Sequence, residues 1–159
     1  MIRDAAPEDA EAIAAIWRPV IEETTASFRP AAPDATEVGG MIEAARARGH
    51  AFLVAGDPPL GFGYYGQLRG NAGYRRTMEH TIVLSDAARG RGLGRALLGA
   101  LEDHARAGGA TSIWGGVSAE NAAGLRFHAA CGYAEAARLS EVGWKFGRTV
   151  DLVLLRKAL

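Results

Sequence analysis

The sequence predicts an α/β domain with a mixed, largely antiparallel central sheet flanked by helices on both faces, and three observations carry that prediction. Seven short runs rich in β-branched and aromatic residues, or alternating with period two, read as strands, and four segments carry apolar residues at helical spacing. Their order is strand, two helices, three strands, helix, strand, helix, two strands, which suits a sheet covered on both sides. Finally, the stretch Met78 to Arg95, MEHTIVLSDAARGRGLGR, reads as a strand, a turn and a glycine-rich loop opening directly into a helix. No linker or repeat divides residues 1–159, so one domain is expected, long enough to bury a core without disulfides or metal.

Each element has a local reason. Ile2 and Arg3 begin an edge strand, and Ala6-Pro7-Glu8-Asp9 places proline and acids in the first turn of a helix. Ile13, Ile16, Trp17, Val20 and Ile21 give that helix one apolar face, and Pro19 is expected to kink or shorten it. Glu22 to Arg29, EETTASFR, is too polar and β-branched to prolong it; Phe28 is a candidate pocket residue. Met41, Ile42 and Ala45 mark a second helix, stopped by Gly49. Ala51 to Ala55 and Leu60 to Gln67 form a hairpin across Gly56-Asp57-Pro58-Pro59. An irregular loop, 68–75, leads into the central strand, and Leu93, Ala96, Leu97, Ala100 and Leu101 stripe a helix from about Leu93 to Arg106. Thr111 to Val117 is a fifth strand, and Ala122 to Ala130 a helix closed by Gly132. Tyr133 to Leu159 reads as two antiparallel strands, the last expected to be largely buried on both faces.

The glycine loop is built to hold an anion. Gly90, Gly92 and Gly94 leave peptide N–H groups uncovered, the following helix start adds free amides and a positive dipole end, and Arg89, Arg91 and Arg95 add charge. Spacing separates the possible motifs. A nucleotide-triphosphatase loop needs Gly-Lys-Ser/Thr four residues after a glycine, which is absent; a dinucleotide fingerprint needs a glycine where Arg95 stands. On the preceding strand Thr77, Glu79, Thr81 and Val83 point one way, Met78, His80, Ile82 and Leu84 the other.

Composition excludes whole classes of partner. Basic and acidic side chains number 18 each, so there is no general field to draw nucleic acid or an anionic membrane, and no apolar run approaches the roughly 20 residues that span a bilayer. The start lacks the pattern of a signal peptide. The single Cys131 and the absence of any zinc spacing point to a reducing, cytoplasmic setting and to no metal.

Arg89-Gly90-Arg91-Gly92-Leu93-Gly94 matches the Arg/Gln-x-x-Gly-x-Gly/Ala signature of the GCN5-related N-acetyltransferases, and the element order resembles that superfamily over nearly the full length. Within it the chain looks closest to the phosphinothricin and methionine sulfone/sulfoximine acetyltransferases. Four stretches carry this: IEETTASFR at 21–29, Glu79-His80-Thr81, Ser118-Ala119-Glu120-Asn121 with Arg126-Phe127-His128, and GWKFGR at 143–148. The resemblance implies the acyl-CoA N-acyltransferase fold and acetyl-CoA as co-substrate. It implies that Ile82, Val83 and Leu84 offer backbone groups to the pantetheine arm, that Arg89 through Arg95 (Gly90, Arg91, Gly92, Leu93 and Gly94 between) grip the pyrophosphate, and that Asn121 contacts the cofactor. Arg69, Gly70 and Asn71, with Glu79, His80 and Thr81, would line the acceptor site. Asn71 and Leu68 stand where relatives often carry aromatics, and Thr149 where many carry Trp, which touches the acceptor pocket rather than the cofactor site. Many such relatives are homodimers joined through terminal strands.

The implied chemistry is acyl transfer from a thioester to the α-amine of a small amino-acid-like molecule. Such amines are mostly charged at pH 7 and must lose a proton. Glu79 is the candidate base, through a water. An N–H of the central strand, that of Val83, is the candidate donor to the thioester oxygen. His128 stands where many superfamily members carry a tyrosine that protonates the departing thiolate. Arg69 and Arg75, if turned inward, would hold the acceptor's carboxylate. Acetylation of a protein N-terminus, polyamine or antibiotic, or a non-catalytic acyl-CoA-binding role, are the alternatives.

Overall fold

The computed structural model describes all of residues 1–159. Its elements are β1 (Ile2–Asp4), α1 (Ala10–Glu23), α2 (Ala35–Ala47), β2 (Phe52–Ala55), β3 (Gly61–Gln67), β4 (Thr77–Leu84), α3 (Leu93–Ala107), β5 (Ser112–Ser118), α4 (Ala122–Ala130), β6 (Ala134–Lys145) and β7 (Arg148–Ala158), the order read from the sequence, with three single-turn 3-10 helices between them. The seven strands form one sheet in the order β1-β2-β3-β4-β5-β7-β6. Only β4 and β5 run parallel; every other neighbouring pair is antiparallel.

Two cores lie on the two faces. Ile13, Trp17 and Ile21 of α1, with Val38 and Ile42 of α2, pack on Val54, Phe62 and Val83. Leu97, Leu98 and Leu101 of α3 pack on Met78, Ile113, Val153 and Leu155. The alternation along β4 is thus realised: Val83 belongs to the α1 face and Met78 to the α3 face.

Two elements refine the expectations. Pro19 does not shorten α1, which runs four residues further to Glu23; there Thr24 Oγ1 donates to the Val20 carbonyl and relieves part of the terminal shortage of donors. The last strand is not buried on both faces throughout. Val150, Val153 and Leu155 are buried, but Leu152 and Leu154 remain half-exposed, because α1 and α2 contact β2, β3 and β4 and do not extend over β7.

The feature that positions the site lies between β4 and β5. Their ladder covers only Thr77–His80 against Ser112–Gly115, although β4 continues to Leu84 and β5 to Ser118. Past His80 and Gly115 the two strands are no longer paired, and the sheet is open at its middle.

Candidate active site

The backbone groups at the opening follow from the ladders on either side. Ser85 N–H donates to the Leu60 carbonyl and Leu68 N–H to the Thr77 carbonyl. These bonds fix the odd-numbered residues of β4 as the ones whose main chain faces β3, so the N–H and C=O of Ile82 and Leu84 face the opening. This corrects the expectation for Val83: its pairing with Phe62 turns its N–H toward β3, and the free donors next to the site belong to Ile82 and Leu84. On the opposite edge Ala119 N–H donates to the Asp151 carbonyl, which turns the odd residues of β5 toward β7 and leaves Gly116 and Ser118 facing the opening.

At the upper end of β4 the loop turns into α3. Gly90 (φ 71°) and Gly92 (φ 73°) are left-handed, a conformation that only glycine adopts without strain. Gly92 is the N-cap and offers no side chain; the first amide bonded within the helix is Ala96 N–H, to the Gly92 carbonyl, so those of Leu93, Gly94 and Arg95 have no intrahelical partner. Gly94 has a second duty: a Cβ there would lie 2.8 Å from Leu84 Cδ1 and 3.2 Å from Phe127 Cε2, so its bare backbone lets α3 seat against β4 and α4. Arg91 and Arg95 are exposed with no carboxylate in reach, and Arg89 pairs with Asp86 at 2.8 Å on the surface. Free amides, left-handed glycines and unpaired guanidinium groups fit the pyrophosphate of acetyl-CoA at this point.

A cavity of about 670 Å³ runs from the opening toward α1. Ile82, Val83 and Leu84 form one wall, Gly115 to Ser118 another, and Arg89, Asn121 and His128 border it. Asn121 caps α4, its Oδ1 accepting from Gly124 N–H at 2.9 Å, which fixes the side chain at the rim.

Where β4 and β5 part, titratable groups meet from both faces. On the α1 face, Glu79 Oε1 lies 3.2 Å from the position a Cβ on Gly116 would take. It has no hydrogen-bond partner from the protein, and burial raises its pKa above the ordinary carboxylate value. On the α3 face the rings of His80 and His128 stack at 5.1 Å, with Tyr133 edge-on to both. Both Nε2 atoms come within 3.1 Å of where a Cβ on Gly115 would stand, so a side chain there would press on both rings. His128 Nδ1 lies 2.7 Å from the Gly124 carbonyl, which can only accept, so Nδ1 carries the proton and Nε2 presents a lone pair. Burial lowers the His128 pKa against the opposing effect of that carbonyl. His80, 5 % exposed with neither ring nitrogen bonded, is pushed down to about 3 by burial and by His128. Both imidazoles are therefore neutral at pH 7, and His128 does not present a proton in this state; it must first receive one.

The acceptor side is walled by the strap 24–29, including Phe28 and Arg29, together with Tyr64, Thr81 and Leu152. Trp17 stacks edge-on with Tyr64, and Arg29 lies over Trp17 at 5.0 Å while pairing with Glu37 at 2.6 Å. Arg69, Gly70, Asn71 and Arg75 are not brought here. All four are exposed on the β3–β4 connection, at the end of β4 away from the opening, and Arg75 borders a second hollow with Arg48, Arg76 and His50. Sequence reasoning missed Tyr64, Arg29 and Lys145. Arg29 and Lys145 sit inside stretches already singled out, 21–29 and 143–148; Tyr64 had no local signal.

These features match known proteins. The family model "Acetyltransferase (GNAT) family" matches residues 17–133, which include the strap, the opening, the glycine loop and α4. The chain belongs to this family. It is an acetyl-CoA-dependent N-acetyltransferase. The L-methionine sulfoximine/L-methionine sulfone acetyltransferase of Pseudomonas paraeruginosa is 35% identical over 158 residues, covering 98% of this chain and 92% of that protein. The phosphinothricin N-acetyltransferase of Alcaligenes faecalis is 35% identical over 162 residues, covering 100% of this chain and 81% of the relative. The solved structure of yncA from Salmonella typhimurium with its cofactor acetyl-CoA superposes with a TM-score of 0.94 at 33% identity, covering 100% of this chain and 93% of that one.

Proposed function

We propose that this N-acetyltransferase acts on the α-amine of a small amino-acid-like acceptor, of the methionine sulfoximine, methionine sulfone or phosphinothricin type. The observation that carries the reading is that Glu79 and His128 flank successive glycines of β5, a carboxylate beside Gly116 on one face and a neutral imidazole beside Gly115 on the other. Two protons must leave the acceptor nitrogen. Glu79, its basicity raised by burial, takes the first from the ammonium through a water and returns it to solvent. The free amine then attacks the thioester carbonyl, the C–N bond forms, and the main-chain N–H of Ile82 or Leu84 receives the developing oxyanion. The lone pair on His128 Nε2 accepts the second proton and passes it to the sulfur as the C–S bond breaks. The sum is an amide, a free thiol and one proton released.

The acceptor's carboxylate is assigned to Arg29, the one guanidinium on the acceptor side of the cavity, rather than to Arg69 or Arg75. Phe28, Tyr64, His80 and Thr81 shape the pocket for the remainder. The setting is cytoplasmic and the working form a homodimer: Val142, Trp144 and Phe146 are 55, 67 and 58 % exposed at the tip of the β6–β7 hairpin, on the edge of the sheet. The acceptor assignment is tested by incubating the enzyme with acetyl-CoA and single amino acids and their analogues, with mass analysis of the products. An N-acetyl product from the sulfoximine, sulfone or phosphinothricin, lost or sharply reduced in KM terms by Arg29→Ala, supports it; acetylation only of peptides or polyamines refutes it.

A further inference from the structure

Lys145 is a buried cation with no counter-ion. It is 5 % exposed, no carboxylate lies within 4.0 Å of it, and its ammonium donates instead to three main-chain carbonyls: Ile21, Ser27 at 3.0 Å and Arg29 at 2.7 Å. An ammonium has three donors, and all three are used. Ile21 is in the last turn of α1, where carbonyls lack helical partners and a positive charge is favoured. Ser27 and Arg29 belong to the strap that walls the acceptor side of the cavity.

That strap has little else to hold it. Residues 25–32 make no main-chain to main-chain hydrogen bond; the main-chain N–H groups of Ala26 and Arg29 donate to the hydroxyls of Thr24 and Ser27. The Arg29 side chain is tied to Glu37 and Trp17, and the remaining ties come from the β6–β7 hairpin, more than 100 residues away. Beside Lys145, Gly143 leaves room for the Phe28 ring, which would lie 2.5 Å from a Cβ at that position. Arg148 grips Glu120 through two bonds of 2.6 and 2.8 Å, and Glu120 accepts from the Thr25 hydroxyl at 2.9 Å. Along β6 the side chains alternate, Gly143 and Lys145 buried toward the strap, Trp144 exposed.

We infer that Lys145 is a positioning residue for the acceptor, acting through the strap by organising Ser27, Phe28 and Arg29 into the wall of the cavity. The inference rests on the reading of that cavity as the amino-acid site. The groups facing acetyl-CoA, on β4, the glycine loop and α4, make no bond to Lys145, so the two substrates respond differently when the ammonium is removed. Losing it leaves three carbonyls short of a donor and frees the segment that carries Arg29.

The test is Lys145→Met, close in length but without donors, beside Lys145→Arg, which keeps them. Steady-state kinetics with an accepted amine and acetyl-CoA are combined with hydrogen exchange of the free protein. For Lys145→Met the acceptor KM rises about tenfold or more while the KM and Kd for acetyl-CoA stay within about twofold, and Lys145→Arg recovers much of the loss. The hydrogen-bonded strap amides, those of Ala26 and Arg29, exchange faster in Lys145→Met and those of α3 do not. An unchanged acceptor KM, equal weakening of both substrates, or unchanged exchange of the strap overturns the inference. If the wild type acetylates no amino acid, the functional reading falls, while the exchange comparison still decides whether Lys145 holds the strap. Should Lys145→Met not fold, Arg148→Ala releases the exposed tie and carries the same split in KM.

Discussion

Replacing His80 by leucine removes a buried imidazole that the fold keeps neutral, and the effect on acid stability can be worked from its environment. Folded His80 titrates at about 3, the burial of the ring being the main cause and His128 the second. In the unfolded chain a histidine titrates near 6.5. Because the folded value is depressed, the contribution of His80 to stability is fully present above the unfolded value and is lost as pH falls below it. Each pH unit below 6.5 then costs about 1.4 kcal/mol, and integration from pH 7 to about pH 4.5 gives about 2.5 kcal/mol. The figure hardly depends on the folded value, provided that value stays below 4.5. Urea unfolding of wild type and His80→Leu at the two pH values isolates this share from that of His128 and the carboxylates. The wild type should lose about 2.5 kcal/mol more than the variant. Parallel losses, within about 0.5 kcal/mol, would mean that the folded ring takes up a proton with ordinary affinity, and that the buried imidazole pair is wrongly described.

Other consequences follow from the same geometry. Burial raises the Glu79 pKa, so the folded state holds its proton more tightly than the unfolded one, and stability is lost as pH rises through the folded value. Glu79→Gln should therefore melt higher than wild type at pH 7, the gap closing below about pH 4, where both are neutral; a lower Tm at pH 7 would contradict this. Gly92→Ala places a side chain at φ 73° and should cost about 1 kcal/mol of stability and weaken acetyl-CoA in calorimetry, whereas an unchanged Kd would detach the helix start from cofactor binding. Trp144→Glu should convert a dimer to a monomer in sedimentation if the apolar hairpin tip is the interface.

Much of this arrangement was legible in the sequence because it is local. Period-two alternation along β4 already put Glu79 and His80 on opposite faces, and the glycines marked the start of α3. What was not legible depends on partners distant in the chain. Whether Val83 or its neighbours face the opening is set by which β4 residues bond to β3, a register that alternation cannot give. Arg75 looked close to Glu79 in sequence, yet the strand carries it to the far end of the sheet and to a different hollow. The proton on His128 Nδ1 is assigned by Gly124, one helical turn away, so Nε2 must take up a proton before it can give one to the sulfur. Lys145 meets carbonyls 116 to 124 residues distant, a contact with no trace in local pattern.

The most direct test of the account is thiol release from acetyl-CoA, measured with and without methionine sulfone, methionine sulfoximine or phosphinothricin, in wild type and Glu79→Gln. The account predicts turnover that requires the amine, rises with pH as Glu79 and the amine lose their protons, and falls by about 100-fold or more in the variant while acetyl-CoA still binds. Amine-dependent turnover that is equal in the two proteins would contradict the assignment of Glu79 as the base and, with it, the chemistry placed at the opening between β4 and β5.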